Sequence, residues 1–197
     1  MEKINLSQGK HLMVIVDVIN GFIYEGALSD SSIASIIDPI VNLTMQYLNA
    51  KQDIIAFKDC HDEEAIEFQS YPPHCIRGTS EVELVSPLKE LEQELMVIEK
   101  NSTNGFMADS FQDFITKNTY DTIVVTGCCT DICVLQFTLS LKGFLNQNNH
   151  NTTLIIPKNM VETFHSPDHD QNYYNEISLQ LLVNAGIQLY ETIEIEG

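Results

Sequence analysis

Thr122-Ile123-Val124-Val125-Thr126-Gly127-Cys128-Cys129-Thr130-Asp131-Ile132-Cys133 passes from β-favouring residues, through a glycine, into a Thr-Asp pair that can open a helix. The turn from strand to helix decides the fold class, because the same alternation recurs outward in both directions. Short runs rich in Val, Ile and Leu lie at residues 12–16, 53–57, 95–98, 122–126, 153–156 and 187–190, as expected of strands buried on both faces. Between the first two, residues 31–50 carry apolar side chains at helical spacing, with Asp38-Pro39 marking a bend or a late start. Further helices are expected over residues 107–116 and 131–145. A last one is expected to open at Ser166-Pro167-Asp168, with Ser166 as its cap, and to end near Asn184. This pattern predicts an α/β chain of three layers, α/β/α, around a mostly parallel six-stranded sheet. No repeat or linker interrupts it, so residues 1–197 read as a single domain.

In such sheets ligands sit beyond the carboxyl ends of the strands. Asp17 closes the first run, Asp59 follows the second, Lys100 the third, and the Gly127-to-Cys133 turn the fourth. Neighbouring strands therefore deliver polar side chains to one edge. With Thr130 as cap, Cys133 falls in the first helical turn, where the helix dipole favours a thiolate. Asp17 ends a hydrophobic strand, a costly place for a carboxylate without partners or a task. In Asp59-Cys60-His61 two ligand types alternate, and His74 stands in the stiff loop Tyr71-Pro72-Pro73-His74-Cys75. Two histidines and a carboxylate suit zinc, manganese or iron(II).

The composition narrows the partners. A net charge of −18 over 197 residues opposes binding to nucleic acid or an anionic membrane. No apolar stretch approaches the roughly 20 residues of a membrane span, and the run around residues 12–18 is too short, with Asp17 inside it, for a signal peptide. A cytoplasmic protein is expected. The five cysteines include no CxxC pair and suit free thiols in a reducing compartment.

Gly127-Cys128-Cys129-Thr130-Asp131-Ile132-Cys133-Val134 resembles the nucleophile signature of the isochorismatase-like cysteine hydrolases, a Rossmann-like family. The resemblance implies a cis peptide at Cys128–Cys129 and an oxyanion hole formed by the backbone N–H groups of Cys129 and Cys133. Asp17-Val18-Ile19-Asn20-Gly21-Phe22 is similar to the family's first motif, with Ile19 where glutamine is usual and Gly21 where an acid is usual. Lys100, followed by Gly105-Phe106, matches the lysine of an Asp–Lys–Cys triad. Asp59-x-His61, then His74-Cys75 and Gly78-Thr79, resembles the metal loop of the nicotinamidase branch; Glu67, seven residues before His74, stands where one subgroup adds a fourth ligand. These motifs span Asp17 to Val134.

The resemblance implies a hydrolase that binds one divalent metal, zinc foremost, through Asp59, His61, Glu67 and His74. Nicotinamide would set its ring nitrogen on that metal and its amide over Cys133. Asp17, Lys100 and Cys133 would hydrolyse it through a thioester to nicotinic acid and ammonia, with Phe22 and Tyr71 against the ring. Thr103 stands where relatives often have an aromatic. Family analogy implies a homo-oligomer. The alternatives are an amidase for another small amide or carbamoyl compound, a non-catalytic metal-binding protein on this fold, and a thiol protein using Cys128–Cys129. His11, His150, His165 and His169 belong to no motif and read as surface or packing residues.

Overall fold

Branched apolar side chains on alternate residues fill both faces of a central sheet, and helices cover each face. The computed structural model describes residues 2–5 and 8–196. In chain order its strands are β1 (Glu2–Asn5), β2 (His11–Val16), β3 (Asp53–Asp59), β4 (Met96–Lys100), β5 (Thr122–Cys128), β6 (Thr153–Pro157), β7 (Val161–Glu162), β8 (Gln188–Tyr190) and β9 (Ile193–Glu196). Its α-helices are α1 (Asn20–Ile23), α2 (Ile37–Asn49), α3 (Ser86–Lys89), α4 (Asp109–Lys117), α5 (Leu135–Gln147) and α6 (Gln171–Asn184).

The sheet runs β4-β3-β2-β5-β6-β8, every pairing parallel, and the two-residue β7 extends the pairing at the end of β5. Its six main strands are the six expected runs. The short β7 and the separate β1–β9 pair were not foreseen, being too brief or too polar to stand out. Strand order reverses between β2 and β5, so a crevice opens beyond their carboxyl ends. On one face Met13, Ile15, Ala56 and Val124 pack against Ile40, Leu43 and Tyr47 of α2. On the other, Val14, Ile55, Phe57 and Val125 pack against Phe111 of α4 and Phe137 and Leu141 of α5. These are the three layers α/β/α.

Helix starts differ locally from expectation. Residues 31–36 form a 3-10 turn and α2 begins at Ile37, so Pro39 falls in the first turn, where its missing N–H costs nothing. Ser166 caps no helix: it exchanges backbone hydrogen bonds with His169, and the Asp170 carboxylate accepts from Tyr173 N–H at the true start of α6. Thr130 does not cap either. Residues 130–134 form a π-helical turn ahead of α5, and the buried Thr130 hydroxyl has no hydrogen-bond partner.

Two backbone features bring the strand ends together. Asp17 adopts φ +53, a left-handed conformation that aspartate tolerates better than most residues, and so breaks from β2. Gly127 has φ +112, and a Cβ there would lie 2.0 Å from the Val16 carbonyl oxygen. A second close approach explains the departure at position 21, where a Cβ on Gly21 would meet the Cys75 sulfur at 2.5 Å. Gly127→Ala should therefore destabilise the protein by about 3 kcal/mol or more, from a forced left-handed conformation plus a backbone clash. The urea midpoint would fall with an unchanged slope; an unshifted midpoint would contradict this account of the crossing.

Candidate active site

Four consecutive strands in the sheet, β4-β3-β2-β5, bring Lys100 and Asp59 at their ends, Asp17 just after β2, and the turn to Cys133 to one edge. The Lys100 ammonium lies 2.8 Å from Asp17 Oδ2 and 2.9 Å from Asp59 Oδ1, and donates to the Ser102 carbonyl at 3.0 Å. All three charged side chains are buried. Two carboxylates and one cation at such depth are tolerable only because the ammonium serves both.

Burial shapes the proton affinities here. It raises the Asp17 carboxyl to about 6, with Lys100 opposing and Asp59 adding to the rise. Burial acts the same way on Asp59, yet Lys100, and then His61 and His74, hold that carboxyl far below the usual range. For Lys100 burial favours the neutral amine, but Asp17 and Asp59 outweigh it and keep the ammonium charged. Cys133 corrects an expectation. Burial pushes its thiol well up, Lys100 opposes, and Asp17 and Asp59 add to the rise. The expected helix-end thiolate is thus overridden by desolvation and neighbouring carboxylates. Asp17, whose proton affinity a hydrogen bond with the Cys133 thiol helps to lower, is the carboxyl within reach of that thiol.

Asp59, His61, Glu67 and His74 each offer a ligand atom, all within 4.8 Å of one another. Asp59 Oδ2 lies 3.1 Å from His61 Nε2 and 3.4 Å from His74 Nε2, and Glu67 Oε1 lies 3.7 Å from His61 Nε2. Ligands about 2.0–2.2 Å from a common ion are spaced much like this. Asp59 Oδ2, His61 Nε2 and Glu67 Oε1 are buried without a hydrogen-bond partner, as atoms awaiting a cation would be. Outer contacts orient them: His61 Nδ1 faces Asn101 Oδ1 at 3.0 Å, His74 Nδ1 faces the Pro72 carbonyl at 2.9 Å, and Glu67 Oε2 accepts from Thr103 N–H. The residues present fit a divalent metal.

Phe22, Tyr71, Asp59, Glu67, His74, Cys129 and Cys133 line one cavity of about 590 Å³. Asp17, Lys100 and His61 lie behind that lining, buried. The rings of Phe22 and Tyr71 stand 5.7 and 6.2 Å from that of His74. The Cys128–Cys129 peptide is cis. All five cysteines are free; Cys60 and Cys75 are buried outside the ligand group, as their alternation with the ligands implies. Reading the sequence missed the outer wall, built by Leu28, Ser29, Asp30, Phe164, His165 and Ser166. No motif marks these residues, and the two loops meet only in the folded chain. His165 therefore lines the cavity, and His169 takes a packing position against Asp131.

Removing the shared cation should be costly. Lys100→Met should lower stability by about 3–5 kcal/mol, because two buried carboxylates lose their partner. Adding Asp17→Asn should restore part of that loss. Chemical denaturation checks both, and a Lys100→Met protein as stable as the parent would refute the shared role.

The arrangement has counterparts among known proteins. The isochorismatase domain family matches residues 11–178. Nicotinamidase 1 of Arabidopsis thaliana is 30% identical, across 93% of this chain and 86% of its own length. A pyrazinamidase/nicotinamidase from Streptococcus mutans superposes with a TM-score of 0.80 over 92% of this chain and 100% of its own, at 21% identity. A pyrazinamidase from Pyrococcus horikoshii in complex with zinc does so with a TM-score of 0.75, over 92% and 98%, at 20% identity. At those identities the two structures speak for the fold. With the family match covering most of its length, the chain belongs to the isochorismatase family.

Proposed function

We propose that this amidohydrolase converts nicotinamide to nicotinic acid and ammonia, with Cys133 as nucleophile and one divalent metal ion bound by Asp59, His61, Glu67 and His74. The observation that carries the reading is the meeting, at one cavity, of a buried cysteine backed by the Asp17–Lys100 pair with a cluster of four potential metal ligands, of which Asp59, Glu67 and His74 line the cavity. The likeness to a plant nicotinamidase supports the substrate. Zinc is the ion proposed, and manganese and iron(II) share its donor preferences.

Asp17 takes the thiol proton as the sulfur attacks the amide carbon, and Lys100 steadies the shifting negative charge. The carbonyl electron pair moves onto oxygen, which the backbone N–H groups of Cys129 and Cys133 receive; loss of such a donor typically costs about 3–4 kcal/mol of transition-state stabilisation. Asp17 returns the proton to the nitrogen, the C–N bond breaks and ammonia leaves a thioester. Asp17 then draws a proton from water as its oxygen attacks that carbon. The C–S bond breaks, the sulfur is reprotonated and nicotinic acid forms. A carboxyl raised to about 6 suits this double duty near neutrality. When bound, the metal supplies a Lewis acid that anchors the ring nitrogen. Phe22 and Tyr71 would flank the ring.

A second reading, another small amide as substrate, is favoured by the cavity of about 590 Å³ and by Thr103 in its lining where relatives often have an aromatic.

Ammonia release from nicotinamide by the purified protein should be lost on chelation and return with added zinc. Cys133→Ala should abolish it while leaving bound metal unchanged. Release that survives chelation would refute the metal's part. No release with metal bound and Cys133 reduced would move the substrate to the second reading. Asp59→Ala and His61→Ala should each lower the metal content measured by elemental analysis; full occupancy in both would refute the ligand assignment.

A further inference from the structure

His169 lies outside the cavity lining, yet it joins two parts of the site. Its Nε2 faces Asp131 Oδ2 at 2.9 Å and its Nδ1 faces the Phe164 carbonyl at 2.9 Å. The ring is sandwiched between Phe164, 3.9 Å away at 12°, and Tyr174, 3.8 Å away at 10°. Asp131 spends its other oxygen on the Thr163 hydroxyl at 2.5 Å. Asp131 sits two residues before Cys133 in the π-helical turn, while residues 164–166 form part of the cavity's outer wall. Other bonds tie that loop elsewhere: His165 N–H donates to Asp30, and the Gln171 amide to the Ser32 hydroxyl and the Thr163 carbonyl. Among the hydrogen bonds of the described residues, those on Asp131 join this loop to the turn carrying the thiol.

We propose that His169 is a positioning residue which, through Asp131, clamps the pocket wall of residues 164–166 onto the turn that carries Cys133. One ring held flat between two aromatic faces, with its two nitrogens turned to the Phe164 carbonyl and to the Asp131 carboxylate, is fixed in place and orientation. Removing the clamp would leave the thiol, its base and the metal ligands in place and loosen the wall against which substrate is held. Its effect on catalysis rests on the nicotinamide reading, and its effect on access to the thiol does not.

The test compares His169→Ala and His169→Phe in the metal-loaded protein. The phenylalanine variant keeps a ring between Phe164 and Tyr174 and presents no nitrogen to Asp131 or to the Phe164 carbonyl. It serves as the decisive variant should the alanine one fail to fold. The expected result is a KM for nicotinamide raised about ten-fold or more with kcat changed less than about three-fold. Alkylation of Cys133 by iodoacetamide should speed up about five-fold or more as the wall loosens. A KM and an alkylation rate both unchanged in His169→Phe would overturn the proposal. If nicotinamide proves not to be a substrate, alkylation alone decides: a faster rate upholds the clamp and an unchanged rate overturns it.

Discussion

One buried ammonium organises the site. Lys100 sits between Asp17 and Asp59 at the edge of the sheet, and its charge favours the ionised form of both buried carboxylates. The arrangement divides labour between two chemically similar side chains. Asp59 is held far below its ordinary range and stays ionised, whereas Asp17 is raised and can gain and lose a proton near neutrality. Similar acids thus take different tasks because their surroundings push their proton affinities apart. Lys100 also joins Asp17, beside Cys133, to the cluster of Asp59, His61, Glu67 and His74.

The sheet makes that bridge possible. Parallel strands in the order β4-β3-β2-β5 end at one edge, so residues far apart in the chain arrive side by side. The chain then leaves the edge through conformations that ordinary residues avoid, at Asp17 and Gly127. At Gly127 the reason is contact, since the Val16 carbonyl occupies the space a side chain would need. The rigid strands carry the charged groups, and the loops after them carry the pocket walls, an allocation common where function rides on a packed scaffold.

Metal ligands and pocket wall are stabilised in similar ways, by a further layer of contacts. Asn101 and the Pro72 carbonyl orient His61 and His74. Asp131, through Thr163 and His169, holds the loop that follows β7 against the nucleophile turn. Asp131 thereby ties a residue of the nucleophile motif to a part of the chain where no motif appears.

Much of this was legible in the sequence because it is written at short range. Buried parallel strands show as runs of Val, Ile and Leu, and all six main strands lie within a few residues of those runs. The residues proposed for chemistry, Asp17, Asp59, His61, Glu67, His74, Lys100 and Cys133, lie in local patterns whose spacing is itself the signal, and the structure brings them together. What the sequence left open depends on burial and on distant partners. No local pattern says that Lys100 reaches Asp59, 41 residues away, or that His169 meets Asp131, 38 residues away. Nor does a helix start reveal that the Cys133 thiol is held high, because desolvation and the field of Asp17 and Asp59 arise only once the strands have packed. Sequence by itself determined the layers, the strand-to-helix turn and the candidate residues at the sheet edge; tertiary structure decided their proton affinities and the shape of the pocket, since both are properties of the space between segments.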